Sequence, residues 1–591
     1  MTQRRISRRD LVTGASAAGV ASVLGAQGAA AQPTRPPRRW DRETDVVVIG
    51  AGATGFPAAI VAREAGAEVI LLEAEPHIGG HAICSGGNLP LGGGTSVQKT
   101  YGIEDSPDIV FSDLTDWSVV QTSGASDYRY NDREIVRAFA DHCTATFEWL
   151  VAHGVVFMDK APDNLGGSSI GNSVPREMHP LNLDYPLVQT GEAVEPERRM
   201  TSTSGNGLIR PLEAAAKKAG VQLLTEHRMT ALYRDEGSAK RVVGVAVDSP
   251  NGALNIRAHK AVVIATGGST GNVNFRRIFD PRLTEEYCGL AGMPYSNQDA
   301  SGELAALAVG ASLWGTYNQS GEFGEYLTKP GLIGAQYGYR NLRWMPGAPV
   351  FDKVHATGLP VGDWQDVVLV NMLGRRFYDE TAGNYTANSY RRVDPYTPNS
   401  YLNSRRTEFE PNGFIAAALA GIGDGHNGGG PIWAVFDADA VAREEWAPVP
   451  PNVDMERGFF FSADTLADLA RKIAMPHQRV PMPPENLVAT IERFNSFVDS
   501  SLDADFGRPK PTYKIAKPPF YAAWATPVIH DTRAGLRINA RCQVVDMSGA
   551  VIPGLYCGGE SAGGFSMHGL ARCMCQGYIA GTHAAAESGT T

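Results

Sequence analysis

A strand that runs straight into a glycine-rich turn constrains the fold of this chain more than any other feature. Residues 46–49 read Val-Val-Val-Ile, and residues 50–55 continue as Gly-Ala-Gly-Ala-Thr-Gly. An alanine-rich stretch follows, then a second apolar strand at residues 69–72 that ends on Glu73. Strand, tight turn, helix, strand and acidic residue form the order that a βαβ dinucleotide site requires. The sequence therefore predicts an α/β fold with a dinucleotide site at its start.

The glycines of this turn and the acid that follows have separate predicted roles. Gly50, Gly52 and Gly55 let the backbone approach a pyrophosphate, which then meets the N–H groups at a helix N-terminus. Glu73 would hold a ribose hydroxyl. The alternative is a helix-packing turn in some other α/β protein.

A second glycine and serine run follows Glu73. Gly80, Ser85, Gly86 and Gly87 lie within residues 78–88, a stretch too rich in glycine to build a regular element. Such a backbone can lie flat against a planar ligand. We therefore assign these four residues to the cofactor site.

The N-terminus carries features of an export signal. Residues 7–9, Ser-Arg-Arg, resemble the start of a twin-arginine signal, and a small-residue apolar region leads to Ala-Ala-Ala at 29–31. We expect residues 1–31 to be the signal, residues 32–44 to be a linker, and the protein to be periplasmic. The alternative is a disordered basic tail.

Composition excludes several function classes. A net charge of −10 without a basic stripe argues against nucleic acid as a partner. The chain beyond the signal has no run of 18 apolar residues, so no stable membrane span is expected. The seven cysteines include no C-x-x-C-H and no zinc or iron–sulfur spacing, so we expect neither haem nor metal. Electrons would then be exchanged with a separate molecule.

Distant segments of the chain complete a pattern with the first turn. A buried strand at 261–265 ends on Thr266 and Gly267, residues 554–560 end on Glu560, and residues 576–581 read Gln-Gly-Tyr-Ile-Ala-Gly. Together these pieces resemble the FAD-binding flavoproteins of the fumarate reductase and succinate dehydrogenase type. That group includes the 3-ketosteroid Δ1-dehydrogenases and the urocanate reductases.

The resemblance implies an α/β fold in which a Rossmann-like FAD-binding domain is interrupted by an α+β capping domain that covers the substrate. The expected boundaries are 45–317 and 520–591 for the two parts of the FAD domain. The capping domain would span 318–519, where the composition shifts towards Pro, Tyr, Trp and Arg.

The resemblance also implies positions for FAD. Thr266 and Gly267 belong to the cofactor site, Glu560 would bind the ribityl or ribose region, and Thr230, beside Met229, would lie near the adenine. The helix from about Cys573 would point its N-terminus at the flavin and stabilise its anionic reduced form. Covalent attachment at His77 or His81 is possible in this family, and we expect non-covalent FAD.

Residues that would act on the substrate come from three motifs. His568 and Arg572 resemble the H-G-x-x-R of fumarate reductases, whose arginine clamps a carboxylate. Residues 374–380 match the motif that precedes the catalytic arginine of those enzymes, but Asn384 stands in the arginine's place and Tyr385 follows it. Tyr385 therefore fits the ketosteroid dehydrogenase branch better. Arg376, within the matching motif, is expected to form a salt bridge of the fold.

A third motif, at residues 519–532, resembles the strand that returns to the FAD domain. Tyr521 and His530 would face the flavin, and Tyr521 has the alternative of a core aromatic. With His568, Arg572 and Tyr385, these complete the predicted catalytic set. Tyr385 and Tyr521 would handle the proton, and Arg572 with His568 the activating oxygen.

The predicted function is hydride transfer between flavin N5 and a carbon beside a carbonyl or carboxylate, making or reducing a C–C double bond. Loss of the catalytic arginine favours a substrate other than fumarate, whereas H-G-x-x-R favours an enoate reductase, and both directions stay open. A quinone or cytochrome would be the external electron partner. The alternatives are a flavin oxidase and a non-enzymatic flavin carrier in an electron-transfer complex.

Overall fold

The computed structural model describes most of the chain, with gaps. The described residues are 35–115, 131–163, 173–199, 203–235, 240–279, 288–289, 294–314, 319–320, 331–337, 342–377, 379–381, 431–526, 528–529, 531–532, 534–565, 567 and 569–589. Three of the predicted catalytic residues, Tyr385, His530 and His568, lie outside this set.

The strands, numbered in chain order, are β1 Arg42–Ile49, β2 Val69–Leu72, β3 Leu89–Pro90, β4 Glu177–Met178, β5 Gln222–Leu224, β6 Arg228–Arg234, β7 Val242–Ser249, β8 Gly252–Ile264, β9 Cys288–Gly289, β10 Leu313–Trp314, β11 Gln319–Ser320, β12 Leu332–Ile333, β13 Leu359–Pro360, β14 Val368–Val370, β15 Trp433–Phe436, β16 Phe460–Ala463, β17 Phe520–Trp524, β18 Val528–Ile529, β19 Asp531–Thr532, β20 Gly535–Leu536, β21 Gln543–Val545 and β22 Val551–Cys557.

The α-helices are α1 Gly55–Glu64, α2 Gly80–Cys84, α3 Ser96–Thr100, α4 Pro107–Thr115, α5 Arg133–Ala152, α6 Asn206–Ala219, α7 Val273–Arg276, α8 Ser301–Ala308, α9 Phe351–Val354, α10 Ala438–Arg443, α11 Leu466–Lys472, α12 Pro484–Ser500 and α13 Leu570–Ala586. Short 3₁₀ turns lie at Pro196–Arg198, Trp364–Asp366 and Gly559–Ser561.

The larger sheet carries the parallel strands that the glycine turn predicted. Its order is β21-β22-β8-β1-β2-β5, with β7 pairing to β8 and β6 to β7. The strands β22, β8, β1, β2 and β5 run parallel to their neighbours in this order. Val46, Val47 and Val48 are fully buried because helices cover both faces of such a sheet. The carboxyl ends of these five parallel strands therefore meet at one edge of the sheet.

Strands β7 and β8 form an antiparallel hairpin around Asn251 and Gly252. Strand β8 then runs without a break from Gly252 to Ile264. The buried strand predicted at 261–265 is thus the end of one long strand. Its first half pairs with β7 and its second half lies between β1 and β22.

Helices α1 and α13 pack at very close range beside the larger sheet. A Cβ atom on Gly577 would lie 2.3 Å from the Thr54 carbonyl oxygen, and one on Gly581 would lie 2.5 Å from that of Ala58. Only glycine permits this approach. The contact brings the N-terminus of α1 close to α13, which fixes one wall of the site described below.

Helix α5 is amphipathic, with apolar residues at helical spacing from Ile135 to Leu150. The Asp132 side chain caps it by accepting hydrogen bonds from the N–H groups of Glu134 and Ile135. Phe139, Cys143 and other residues on one face are buried in the core of the larger sheet.

A smaller antiparallel sheet has the order β14-β15-β17-β16. One face packs Phe436, Trp446 and Phe460 into a core, and the other packs against α11 and α12. The strand β17, which begins at Phe520, belongs to this sheet and lies beyond the predicted domain boundary at residue 519. The boundaries themselves stay predictions.

A buried cluster of charges lies beside the smaller sheet. Arg376 donates from Nε to Glu380 at 2.8 Å and pairs through Nη1 with Asp503 at 2.7 Å. Arg508 adds a second guanidinium to Glu380, at 3.0 Å. These partners confirm that Arg376 forms salt bridges of the fold. They also hold the pKa of Glu380 below its ordinary value against the opposing effect of its complete burial.

Among the residues described, no helix combines the length and the apolar character needed to cross a membrane.

Candidate cofactor site

A cavity of about 620 Å³ lies at the carboxyl end of the parallel strands. Its lining includes Ile49 at the end of β1, Glu73 just after β2 and Ala265 just after β8. This is the edge where open α/β sheets bind their ligands. Its volume falls within the range of small-molecule and cofactor sites.

The first glycine turn forms the floor of this cavity. Gly50 has φ of +103°, and a Cβ atom there would lie 2.3 Å from the Ala265 carbonyl oxygen, so only glycine fits. A Cβ atom on Gly52 would meet nothing nearer than the Gly79 carbonyl oxygen at 3.7 Å and would project into the cavity. Gly50 and Gly52 thus lie where the sequence predicted.

Gly55 has a different place from the other two glycines. It does not line the cavity, and a Cβ atom on it would lie 1.7 Å from the Gly50 carbonyl oxygen. Gly55 lets α1 begin directly after the turn, because a side chain at this position would collide with the Gly50 carbonyl. The prediction that Gly55 helps the backbone approach a pyrophosphate stays a prediction.

Glu73 faces the cavity and also organises the turn. Its Oε2 accepts a hydrogen bond from the Ala51 N–H at 2.9 Å, and Oε1 accepts one from the Glu75 N–H at 3.0 Å. Burial raises the pKa of Glu73 above its ordinary value, although these donors oppose the effect. The carboxylate is placed at the end of β2, as the sequence predicted.

The second glycine and serine run forms another wall. Gly80, Ser85, Gly86 and Gly87 all line the cavity. The Ser85 hydroxyl donates to the Ala82 carbonyl at 2.7 Å and accepts from the Gly87 N–H at 3.2 Å, which holds the run against α2. The structure therefore brings all four predicted residues together with the first turn.

Thr266 and Gly267 complete the wall after β8. The Thr266 hydroxyl lies 3.0 Å from the Ser561 hydroxyl, which also accepts from the Gly267 N–H at 3.2 Å. A Cβ atom on Gly267, whose φ is +91°, would have no atom within 4 Å. This bare backbone faces open cavity, as a cofactor in close approach requires.

Glu560 lies in a polar cluster drawn from distant parts of the chain. Its Oε2 is 3.1 Å from Nδ1 of His81 and accepts from Nε2 of Gln298 at 3.2 Å. Its Oε1 accepts from the Thr532 N–H at 3.2 Å. All three side chains of the cluster, Glu560, His81 and Gln298, line the cavity. Glu560 is where the sequence predicted, whereas Gln298 was missed because no motif marks it.

Thr230 does not lie in the cavity, contrary to the prediction. Its side chain is exposed, whereas Met229 before it is buried and lines the cavity. The pairing of β6 with β7 shifts its register between Met229 and Ala231, so Thr230 lies at an irregularity of the strand with its side chain in solvent. Arg228, the residue before Met229 in β6, also lines the cavity and pairs with Asp299 at 2.6 Å.

An aromatic residue that the motifs did not indicate lies at the cavity wall. Tyr295 stacks on His77 with the rings 5.5 Å apart and 24° from parallel, and on Trp344 at 6.3 Å and 11°. Burial raises the pKa of Tyr295 far above its ordinary value. It therefore acts as a neutral aromatic surface.

The N-terminus of α13 points at the cavity. Gly569, Leu570 and Cys573 line it, and a Cβ atom on Gly569 would have no atom within 4 Å. The exposed N–H groups of a helix N-terminus favour negative charge. The predicted contact of this helix with an anionic ligand has the geometry it needs.

Arg572, in the same helix, does not line the cavity. It is 1% exposed, and its Nη1 and Nη2 donate to the carbonyls of Phe565 at 2.5 Å and Thr532 at 2.9 Å. The guanidinium thus ties the loop before α13 to β19. These contacts use one N–H of each terminal nitrogen, and the buried Nε has no hydrogen-bond partner among the described residues. The carboxylate clamp that the H-G-x-x-R resemblance implied stays a prediction.

Tyr521 is placed away from the cavity. It lies in β17 and packs its ring on Phe436, at 5.2 Å and 22°, and on Phe460, at 5.7 Å. Burial raises the pKa of its hydroxyl. The structure therefore favours the alternative of a core aromatic over a catalytic tyrosine.

The residues present fit a flavin dinucleotide. Bare glycine backbone at Gly52, Gly267 and Gly569 leaves space that any side chain would fill, and two helix N-termini meet the cavity. Glu73 and Glu560 supply acceptors for hydroxyl groups. When bound, FAD supplies hydride transfer at its N5 position.

Comparisons with known proteins agree with this geometry. A family model described as FAD binding domain matches residues 45–317 and 340–574. The 3-oxosteroid 1-dehydrogenase of Mycolicibacterium smegmatis is 25% identical, with 88% of this chain and 92% of that protein covered. The fumarate reductase (cytochrome) of Shewanella frigidimarina is 27% identical, with 89% and 73% covered.

Among solved structures, the 3-ketosteroid Δ1-dehydrogenase of Sterolibacterium denitrificans matches with a TM-score of 0.57 and 19% identity, over 92% of this chain and 100% of that one. This likeness concerns the fold. Together with the family match in two separated segments, it confirms the predicted α/β fold with an interrupted cofactor-binding domain.

Proposed function

The chain belongs to the FAD binding domain family and is an FAD-dependent oxidoreductase of CH–CH bonds, and we propose that its substrate bears a carbonyl or carboxylate beside that bond and is not fumarate. The proposal includes export to the periplasm and an external quinone or cytochrome as electron partner. The resemblance of residues 7–31 to a twin-arginine signal supports the first, and the absence of a C-x-x-C-H motif supports the second.

The arrangement of Arg572 is the observation that carries the choice of substrate. A dicarboxylate such as fumarate needs guanidinium groups that are free to bind each carboxylate in a forked pair of hydrogen bonds. Arg572 donates instead to two main-chain carbonyls, and Asn384 replaces the second arginine in the sequence. A substrate with a single carbonyl or carboxylate needs fewer cationic side chains to bind it.

The chain's own residues would divide the work by position. The cavity walls bind the cofactor through bare backbone, Glu73 and Glu560 orient its hydroxyl groups, and the N-terminus of α13 favours the reduced anion. Tyr385 is our choice for the proton donor or acceptor. His568 is our choice for the donor to the activated oxygen.

Two variants separate this proposal from a fumarate-type reductase. We expect Tyr385→Phe to retain FAD and lose about 10²- to 10⁴-fold in turnover, the range that general acid–base catalysis contributes. Arg572→Lys keeps the positive charge but loses the planar guanidinium that binds a carboxylate through two parallel hydrogen bonds. If Arg572 were a carboxylate clamp, this variant would lose activity with no change in stability. We expect it to lower the thermal unfolding temperature instead, because one of two carbonyl contacts is lost.

The measurement is anaerobic reoxidation of the dithionite-reduced enzyme by fumarate, urocanate and cinnamate, followed at the flavin band. Rapid reoxidation by fumarate that Arg572→Lys abolishes, with an unchanged unfolding temperature, would contradict the proposal. Reoxidation by air alone, with release of peroxide, would favour an oxidase. An exported protein should also depend on an intact Arg8-Arg9 pair, which cell fractionation of an Arg8→Lys, Arg9→Lys variant tests.

A further inference from the structure

Three metal-binding side chains converge on a pair of short extended segments outside the FAD cavity. Asp163 and Glu177 face each other across an antiparallel bridge, and each N–H donates to the other's carbonyl at 3.0 Å. His179 lies two residues beyond Glu177, so its side chain shares the same face. The Met158 N–H donates to the His179 carbonyl at 2.9 Å and fixes the next rung. The backbone therefore holds all three positions.

The ligand atoms of these side chains already lie close together. His179 Nε2 is 3.1 Å from Asp163 Oδ2 and 3.8 Å from Glu177 Oε1, and the three atoms lie within 4.8 Å of one another. Metal–ligand bonds of about 2.0 to 2.2 Å place neighbouring ligands roughly 3 to 4 Å apart. A contraction of less than about 1 Å would complete the geometry.

Glu177 supplies an observation independent of this clustering. Its side chain is 2% exposed, yet Oε1 accepts no hydrogen bond from the described residues. That oxygen points to His179. A buried carboxylate without a partner is costly, and a cation at the centre of the three ligands would offset the cost.

The two cationic side chains near the cluster, Lys160 and Arg176, pair with carboxylates other than that of Glu177. Lys160 Nζ lies 2.9 Å from Asp163 Oδ2, and its side chain is 43% exposed. Arg176 pairs with Asp105 and Asp113.

We propose that Asp163, Glu177 and His179 bind a divalent transition-metal ion. One imidazole nitrogen and two carboxylate oxygens suit zinc best, and three protein ligands leave a coordination position for water. None of the three lines the FAD cavity, so the ion would brace the fold and take no part in hydride transfer. It would join Asp163 to β4, which pairs with β3 directly after the cavity-lining Asn88.

Zinc titration of the tag-free, FAD-loaded enzyme after chelator treatment tests this proposal, by isothermal calorimetry and by metal analysis after dialysis. We expect one zinc per chain in the wild type. Glu177→Gln and His179→Gln should each lose at least the roughly 10- to 100-fold in affinity that even loss of an outer-shell partner costs. His153→Gln is the matched control, because His153 pairs with a single, half-exposed carboxylate of Glu64.

Thermal unfolding in the presence of zinc keeps the test independent of folding defects. Zinc should raise the unfolding temperature of the wild type and of His153→Gln, and should not raise that of Glu177→Gln or His179→Gln. The flavin spectrum should be the same with and without zinc. Equal zinc affinity in all four proteins, or no zinc uptake by the wild type, would overturn the proposal.

Discussion

Replacement of Glu303 by glutamine should stabilise the enzyme at alkaline pH and not at acidic pH. Glu303 lies in the first turn of α8, is fully buried, and neither carboxylate oxygen accepts a hydrogen bond from the described residues. Burial, with smaller contributions from Asp299 and Glu560, raises its pKa from 4.5 to about 8. The folded protein therefore favours the neutral acid.

The sign and size of the effect follow from this shift. A carboxyl group whose pKa is raised on folding contributes stability that is complete below pH 4.5 and is lost as the pH rises through 8. At about 1.4 kcal/mol for each pH unit between the two values, the loss reaches about 3 kcal/mol at pH 7 and about 5 kcal/mol above pH 8. Glu303→Gln keeps the size of the side chain and removes the charge, so it should recover most of that loss.

Equilibrium urea unfolding of the FAD-saturated enzyme at pH 5.0 and pH 8.5 measures the difference. We expect Glu303→Gln to unfold at higher urea than the wild type at pH 8.5, and to differ by less than about 1 kcal/mol at pH 5.0. Glu456→Gln, at an exposed position, is the control and should change neither value. An equal gain at both pH values, or a loss at pH 8.5, would refute the reasoning.

Two further substitutions test the cofactor site and the charge cluster. Gly52→Ala should weaken FAD binding about 10- to 100-fold, because the methyl group displaces one or two charge-assisted hydrogen bonds. Flavin fluorescence titration measures the affinity, with Gly589→Ala as the control. Unchanged affinity would argue against a ligand at Gly52. Arg376→Met should lower the free energy of unfolding by about 3 to 5 kcal/mol because it leaves buried carboxylates unpaired. The exposed Arg471→Met should cost less than about 1 kcal/mol in the same urea assay, and equal costs would contradict the account.

The parts of the site that the sequence predicted are those set by local chemistry. The β-branched run at 46–49, the turn glycines and Glu73 follow one another closely, and each has one structural solution. These residues were therefore found without knowledge of their neighbours. Thr266 and Gly267 were assigned differently, from the resemblance of several distant segments to the flavoprotein family.

The parts that were missed depend on contacts between distant segments. Gln298 was missed because it meets His81 and the predicted Glu560 across more than 200 residues of chain, and nothing in the sequence near it marks it. Arg572 lies in a motif, but the Phe565 and Thr532 carbonyls that engage it come from the folded arrangement. Thr230 shows a third limit, since the sequence does not reveal the register shift of β6 between Met229 and Ala231.

Tyr521 was open to two interpretations for a related reason. An aromatic residue in a strand reads the same in sequence whether it faces a core or a ligand. The pairing of β17 with β15 and β16 places it among Phe436 and Phe460, and only tertiary structure supplies that information.

The most direct test of the central claim is the anaerobic absorbance of the bound flavin during mixing with substrate panels. Oxidised enzyme would meet saturated ketones, including 3-ketosteroids, and reduced enzyme would meet enoates including fumarate. The account predicts that a compound with one carbonyl or carboxylate bleaches or restores the flavin band, with a product that differs by two hydrogens in mass, and that fumarate does not. Turnover with fumarate alone, or a flavin that no member of either panel changes, would contradict it.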